Sequence, residues 1–269
     1  MMNLFGEDAI IGNFQLSNYG LMLGSFESNV NSEFELGMND ETIEKYNGHK
    51  PVPTYLGHKF SEKLRPVATL IKNVCDNDIV FTEHECREIL RQLTGFYGYR
   101  QMQIYSYEYD ELLFFNVRIN NVRYKKIGGD TVGIILDMEC DSQFAWSKEY
   151  KTIYDVKANE IISFYNISDE LYDYLKPVVI IKSKDPITNL EIKNISDNNR
   201  VTSIKNISAN EVITMDSNKE KLKASTDRLI LNDFNMNFIR LVGGINKLQV
   251  NSNINLEFCY KLPRKVGFI

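Results

Sequence analysis

Hydrophobic residues alternate with polar ones over many short stretches of the chain, which is the pattern of β-strands with one buried face. In one such stretch, four apolar residues fall on one face at period two, with Ile135 interrupting the alternation: Val132, Ile134, Leu136 and Met138. Cys140 ends this predicted strand, a polar triplet follows, and the single tryptophan, Trp146, is expected to plug one end of a core. We therefore predict two domains, residues 1–143 and residues 144–269.

One segment departs from the strand pattern and predicts an α-helix over residues 82–94. Thr82 and Glu85 have the spacing of a capping box, in which each side chain bonds a backbone amide at the helix start. Apolar residues then recur at helical spacing along one stripe: Cys86, Ile89, Leu90 and Leu93. Gly95 is expected to end the helix. A single short helix cannot enclose a core alone, so it must lie against a sheet.

The other patterns predict strands on both sides of the domain boundary. In the first domain we expect strands at residues 101–109, 112–120 and 132–139. In the second, short strands at regular spacing are typical of a sandwich or a jelly roll; they are expected at residues 156–164, 177–182, 190–195, 201–207 and 212–215. Apolar residues at even positions from Leu248 to Tyr260, interrupted by a turn at residues 251–253, predict a final hairpin.

An unusual stretch near the N-terminus alternates acidic and apolar residues. Phe34, Leu36 and Met38 share one face of this extended piece, and a polar tip follows at residues 39–41. The chain returns through the turn signal Tyr46-Asn47-Gly48 and resumes an extended backbone around Tyr55. Residues 33–60 are therefore either a hairpin arm that reaches away from the core or a surface loop folded back on its own domain.

Composition and charge exclude several classes of function. Hydrophobic residues make up 43% of the 269 residues, enough for a core, and the formal charge of −5 has both signs interspersed. Because no basic block occurs, we expect no sequence-specific binding of nucleic acid. Because no apolar run approaches a bilayer span, we expect no membrane insertion. The N-terminus lacks the features of a signal peptide, so we expect synthesis and folding in the cytoplasm.

The sequence carries no recognisable catalytic equipment. It has no nucleophile elbow, phosphate-binding glycine loop, dinucleotide fingerprint or zinc-protease motif. The three histidines and the four scattered cysteines lack the spacing of a metal site or a disulfide framework. The Asn-Ile-Ser triplets at Asn166, Asn194 and Asn206 are interpreted as chance matches to the glycosylation sequon. We predict that the protein is not an enzyme, has no catalytic or metal-binding residues and needs no cofactor.

Three features in a fixed order carry a resemblance to a known family. The first is the capped helix, Thr82 to Leu93, followed by strands. The second is the strand from Gly133 to Cys140 with its polar turn and aromatic exit. The third is Phe238 to Asn246, with the core Gly244-Ile245-Asn246, then two strands and a basic end at Arg264. Gly243 stands where the family usually has proline. Over nearly its whole length the chain resembles the distal tail proteins of bacteriophages with long, non-contractile tails.

This resemblance implies a fold and a function. It implies a mostly β protein: an N-terminal β-sandwich with one helix and a protruding arm, then a C-terminal galectin-like β-sandwich. Six copies are expected to form a ring at the virion tail tip that joins the tail tube protein to the tail-tip protein and to receptor-binding proteins. Residues 33–60 would be the arm that grips the neighbouring subunit, with Phe34, Leu36, Met38 and Tyr55 as candidate interface residues.

The particle is left open among a phage, a prophage remnant and a tail-derived bacteriocin. The alternative function is a carbohydrate-binding module, in which the C-terminal sandwich contacts saccharide of the host cell wall. The aromatic residues around Tyr165 and Tyr172 suit that alternative if they are exposed, and they suit a core or an interface if they are buried.

Overall fold

A computed structural model of the chain describes residues 2–4, 6–26, 40–45, 54–60, 63–73, 79–105, 112–226 and 228–265. The chain divides into two compact units, each with its own hydrophobic core. The first unit comprises Met1–Ser147 together with Lys265–Ile269, and the second comprises Lys148–Arg264. The fold class is confirmed: strands dominate both units, and the described part of the chain has one α-helix.

The first unit contains eleven described strands, one 3-10 helix and the α-helix. In chain order these are β1 (Met2–Leu4), β2 (Asp8–Ile11), β3 (Phe14–Gln15), η1 (Leu16–Tyr19), β4 (Leu21–Leu23), β5 (Asp40–Lys45), β6 (Thr54–Phe60), β7 (Pro66–Lys72), α1 (Glu83–Thr94), β8 (Arg100–Tyr105), β9 (Phe114–Ile127), β10 (Asp130–Cys140) and β11 (Ala145–Trp146).

The main sheet of this unit has the strand order β1-β7-β10-β9-β8-β2-β3, with β4 paired to β7 and β11 paired to β9. Its two sides approach each other, because an antiparallel bridge joins Gly6, just before β2, to Leu23 in β4. A β-carbon at Gly6 would lie 2.8 Å from both the Ile104 Cγ2 atom and the Tyr105 carbonyl oxygen. Glycine therefore permits the backbones to meet and the sheet to curl around the core.

The helix forms as the sequence predicts. The Thr82 side chain accepts a hydrogen bond from the Glu85 amide at 3.2 Å, and the Glu85 carboxylate accepts one from the Thr82 amide at 2.7 Å. Cys86, Ile89 and Leu93 are buried in the core of the first unit. The capping box and the apolar stripe therefore fix both the start of the helix and the face that packs on the sheet.

Two details of the first unit differ from the sequence prediction. The strand expected at residues 112–120 continues to Ile127, and the turn is confined to Gly128-Gly129, where both glycines have positive φ. Residues 120–126 are mostly polar and exposed, which hides the strand pattern, although the backbones of residues 121–126 pair with β10 and Val122 packs against the core. Trp146 is only half-buried, and its neighbours Phe144 and Ala145 fill the core position instead.

The predicted arm contains an isolated β-ribbon. Strands β5 and β6 form a two-stranded antiparallel sheet, and within the described residues neither strand pairs with any other. Asp40 and Glu41, predicted at a polar tip, belong to β5, so that part of the prediction is wrong. Strand pairing across the ribbon overrides the turn propensity of acidic residues.

The second unit contains ten strands and one 3-10 helix within its described residues. They are β12 (Tyr150–Val156), β13 (Glu160–Asn166), β14 (Val178–Lys182), β15 (Ile187–Asn194), β16 (Arg200–Ile207), β17 (Val212–Asp216), β18 (Lys221–Ala224), η2 (Ile230–Asp233), β19 (Gly244–Val250), β20 (Ile254–Tyr260) and β21 (Pro263–Arg264). Two antiparallel sheets hold most of them, with orders β12-β20-β14-β17-β18 and β13-β19-β15-β16. Their inward faces form one continuous core.

The final two long strands do not form the predicted hairpin. β19 pairs with β13 and β15, whereas β20 pairs with β12 and β14, so the turn at residues 251–253 carries the chain from one sheet to the other. The strand predicted at residues 156–164 likewise divides at Asn159, which has φ +66°, into β12 and β13 of different sheets. Two consecutive strands that each bury one face can belong to one sheet or to two opposed sheets. The alternating pattern is the same in both cases, so it does not predict which strands pair.

Candidate interaction surfaces and the networks that support them

The candidate interface residues of the arm lie only partly within the described chain. Phe34, Leu36 and Met38 lie outside the described residues, and Tyr55 is in β6, opposite Glu44. The register of the ribbon shifts between Ile43 and Glu44, and Leu56 is the extra residue of this bulge. The Leu56 side chain is 59% exposed. The described part of the arm is thus a two-stranded ribbon that pairs with no other described strand and presents an aliphatic residue to solvent.

A loop of exposed aromatic residues follows the helix, and the sequence prediction missed it. Phe96, Tyr97 and Tyr99 are 63%, 105% and 41% exposed. The Arg100 guanidinium lies 4.1 Å from the centre of the Phe96 ring and donates a hydrogen bond to the Gln92 carbonyl oxygen. Three aromatic residues within four positions after a helix-ending glycine were the available signal. Aromatic side chains are enriched at protein interfaces.

Charged residues border this aromatic loop on the outer face of the sheet. The Tyr99 hydroxyl donates to Glu139 at 3.2 Å, and the Lys63 amine donates to the Tyr99 hydroxyl at 3.1 Å. Arg118 lies 3.7 Å from the Glu139 carboxylate. The hydrogen bond from Tyr99, with the charges of Arg118 and Lys63, lowers the pKa of Glu139. The carboxylate therefore stays ionised and orients the aromatic ring beside two cations.

Three asparagines form a buried network across neighbouring strands of the second unit. Asn246, which has no exposed surface, accepts hydrogen bonds from the Val242 amide at 2.9 Å and from the Asn194 side chain at 3.0 Å. It donates to the carbonyl oxygens of Val242 at 2.8 Å and Gly244 at 3.2 Å. Asn166 donates to the same Val242 carbonyl at 3.1 Å. The Gly-x-Asn core thus anchors the chain as it enters β19, with Gly244 at φ +81°.

This network gives two of the glycosylation-like triplets a structural role. In each, the asparagine side-chain oxygen accepts from the amide two residues later: Asn166 from Ser168 and Asn194 from Ser196, both at 3.1 Å. Asn166 and Asn194 are nearly fully buried. The interpretation of these triplets as chance matches is therefore incomplete, because their asparagines close turns that flank β19.

A second network buries a carboxylate beside the loop that follows β18. The Glu211 side chain has no exposed surface and lies 2.8 Å from the Arg228 guanidinium, which also binds Asp233 at 2.5 Å. Glu211 accepts further hydrogen bonds from Thr226 and from the Ser208 amide. Burial alone would raise the pKa of Glu211, but the hydrogen bonds from Arg228, Thr226 and Ser208 outweigh it and lower the pKa.

The described residues contain no group of three metal-ligating side chains, and none of their helices is long and apolar enough to cross a bilayer. Cys86, Cys140 and Cys259 are free thiols. Burial raises the pKa of Cys140 to about 12, so this thiol stays protonated and unreactive at neutral pH.

Two family models match the sequence, one in each half of the chain. Residues 5–142 match the family model described as a phage tail protein N-terminal domain, and residues 144–260 match the one described as a phage tail C-terminal domain. Among curated proteins, none matches the sequence.

A solved structure shows the same fold at low identity. The Dit protein of phage SPP1, described as a paradigm of the hub adsorption apparatus in phages infecting Gram-positive bacteria, has 11% identity and a TM-score of 0.68, covering 95% of this chain and 98% of that chain. Chains of the phage p2 baseplate in its activated conformation, with Ca and with Sr, have 9% and 8% identity and TM-scores of 0.47, covering 95% of this chain and 94% of theirs. Because the two family models together span almost the whole sequence, this chain belongs to the family of phage tail proteins that they describe.

Proposed function

We propose that this protein is the structural hub of a phage, prophage or tail-derived bacteriocin tail tip, synthesised in the host cytoplasm. Six copies form a ring that joins the tail tube to the tail-tip protein and to receptor-binding proteins. The observation that carries the proposal is the two-unit fold, which it shares over almost its full length with a protein described as a hub of phage adsorption. On this view the mechanism is assembly, with no catalytic step.

The surfaces of the first unit support such an assembly. A closed ring needs heterologous contacts, in which one patch meets a different patch on the next copy. The β5–β6 ribbon supplies one such patch: among the described residues its strands pair only with each other, and a neighbour could add strand pairs and apolar burial at its edges. The exposed loop of Phe96, Tyr97 and Tyr99 supplies aromatic side chains for the second patch.

The mass of the protein in solution tests the ring. Light scattering after size exclusion is expected to give about 187 kDa, six times the chain mass of 31.2 kDa, with a stoichiometry that is constant above the dissociation range. A monomer at every concentration would contradict self-assembly into a ring.

The arm is tested by the double substitution Phe34→Asp and Leu36→Asp. If the arm grips the neighbouring copy, the variant is expected to keep its circular dichroism spectrum while its ring dissociates at concentrations at least tenfold higher, about 1.4 kcal/mol per contact. The matched control is Ile153→Asp, which places a charge at a 57% exposed position of the second unit. Equal dissociation curves for wild type and double variant would show that the arm does not hold the ring together.

A second candidate function, contact with saccharide of the host cell wall, is favoured by one observation. Tyr165 is 62% exposed on the outer face of the sheet that contains β13, whereas its neighbour Phe164 is buried. An exposed aromatic ring on a sheet face is suited to stacking on a sugar. We expect this function to appear as retardation of the full chain in gels containing host-wall polysaccharide, with the retardation lost in Tyr165→Ala. Equal mobility with and without polysaccharide would count against it.

A further inference from the structure

A rigid loop in the second unit, residues 228–237, presents aliphatic side chains that the fold itself does not use. The loop packs beside the edge strands of both sheets: Phe234 forms an antiparallel bridge with Ile204 in β16, and η2 contacts β18. Ile230 and Phe234 point into the core, at 3% and 7% exposure. These two residues cover the side of the sandwich that lies between the edge strands. This packing explains the path of the loop.

Three other large residues of the loop remain outside. Leu229, Leu231 and Met236 are 81%, 51% and 61% exposed. Met236 has φ +62°, a left-handed conformation that a side chain of this size rarely adopts. Neither core packing nor a hydrogen bond of the Met236 side chain explains that strain. Strained residues of this kind cluster at binding and recognition sites, where the surrounding structure holds them in place.

The surroundings of the loop hold it in place. The side-chain amides of Asn235 and Asn237 both donate to the Val201 carbonyl oxygen, at 2.9 and 3.0 Å, on either side of Met236. At the other end, Arg228 is fixed by Glu211 and Asp233. The aliphatic residues are therefore pre-organised, which reduces the entropy lost when they are covered by a partner.

The strands beside the loop carry positive charge only. Every charged residue of β16 and β18 is basic: Arg200, Lys205, Lys221 and Lys223. The three lysines are exposed. An aliphatic centre with a basic border fits an acidic protein surface. It does not fit a saccharide, because the loop offers no exposed aromatic ring for stacking.

The first unit of this chain is acidic overall. The first unit has 21 acidic against 14 basic residues, whereas the second has 15 acidic against 17 basic residues. We propose that the 228–237 loop and its lysine border dock on the first unit of a second copy of this chain. This contact rests on the proposed function only because it requires that copies of the chain assemble. It adds an interface between the second unit of one copy and the first unit of another.

Isotope-resolved cross-linking tests the contact. Full-length protein labelled with nitrogen-15 is mixed with unlabelled protein, allowed to exchange subunits, and treated with a carbodiimide, which joins a lysine amine directly to a carboxylate. Mass spectrometry is expected to find Lys205, Lys221 or Lys223 of one isotope joined to Asp or Glu of residues 1–147 of the other. Because the border is electrostatic, the yield is expected to fall as salt is raised from 0.05 to about 0.5 M.

A triple variant tests the aliphatic centre. Leu229→Ser, Leu231→Ser and Met236→Asn remove the apolar side chains, and asparagine tolerates the left-handed backbone. These links are expected to fall at least tenfold in this variant, with an unchanged circular dichroism spectrum. The matched control is Ile153→Ser with Ile161→Ser, which changes residues of the same unit that are 57% and 51% exposed and is expected to leave the yield unchanged.

Three results would overturn the docking site. They are links found only within one isotope, an equal loss of links in the control variant, and a protein that is monomeric at every concentration. A hexamer that lacks these links would remove this interface and leave the ring standing, whereas a persistent monomer would remove both.

Discussion

Asn246→Ala is expected to lower the unfolding free energy of the second unit by about 4 kcal/mol. The substitution removes four hydrogen bonds, of which the one from Asn194 is buried and the other three are partly buried, and leaves the Val242 amide and the Gly244 carbonyl without their side-chain partner. An intramolecular hydrogen bond contributes about 0.5–1.5 kcal/mol, so the loss of four such bonds accounts for the expected decrease. Urea unfolding followed by far-ultraviolet circular dichroism measures the loss.

Hydrogen exchange shows whether the loss is local. Protection is expected to fall first in β13, β15 and β19, the strands that carry the three asparagines, while the strands of the first unit keep theirs. The matched control is Asn232→Ala, which removes an exposed asparagine of the same unit and is expected to change stability by less than about 0.5 kcal/mol. A variant as stable as this control would refute the anchoring role of Asn246.

Arg228→Ala is expected to destabilise the second unit by about 3–5 kcal/mol near neutral pH. The substitution leaves the Glu211 carboxylate buried without its cation, and the loss of an opposite charge raises the pKa of that group in the folded protein. The double variant with Glu211→Gln is expected to recover part of the loss, because the uncompensated charge is gone. Lys184→Ala, which removes an exposed cation from the same unit, is the control.

The effect of Arg228→Ala depends on pH with a definite sign. In the wild type the folded pKa of Glu211 is lowered, so its contribution to stability is fully present above the unfolded pKa near 4.5 and is lost as pH falls through the folded value. The difference between wild type and Arg228→Ala is therefore expected to be largest near pH 7 and to shrink below about pH 4. Unfolding curves at several pH values measure it, and a difference that grows on acidification would contradict the account.

The sequence by itself determined the local elements that have strong chemical signals. Thr82, Glu85 and the apolar stripe of the helix specified its start and its buried face, because capping and periodicity act within a few residues. Alternation specified which faces of the strands are buried. The order of these motifs also sufficed for the resemblance to phage tail proteins, which the family models confirm.

The tertiary structure alone decided which strands pair and which polar residues are buried. Alternation does not say whether β19 and β20 share a sheet, because both bury one face against the same core in either arrangement. Asn166, Asn194 and Asn246 are separated in sequence, and only the pairing of β13, β19 and β15 brings them together around Val242. The exposure of Leu229, Leu231 and Met236 likewise depends on which residues of the loop seal the sandwich. Local patterns fix which residues are apolar, but long-range pairing fixes what covers them.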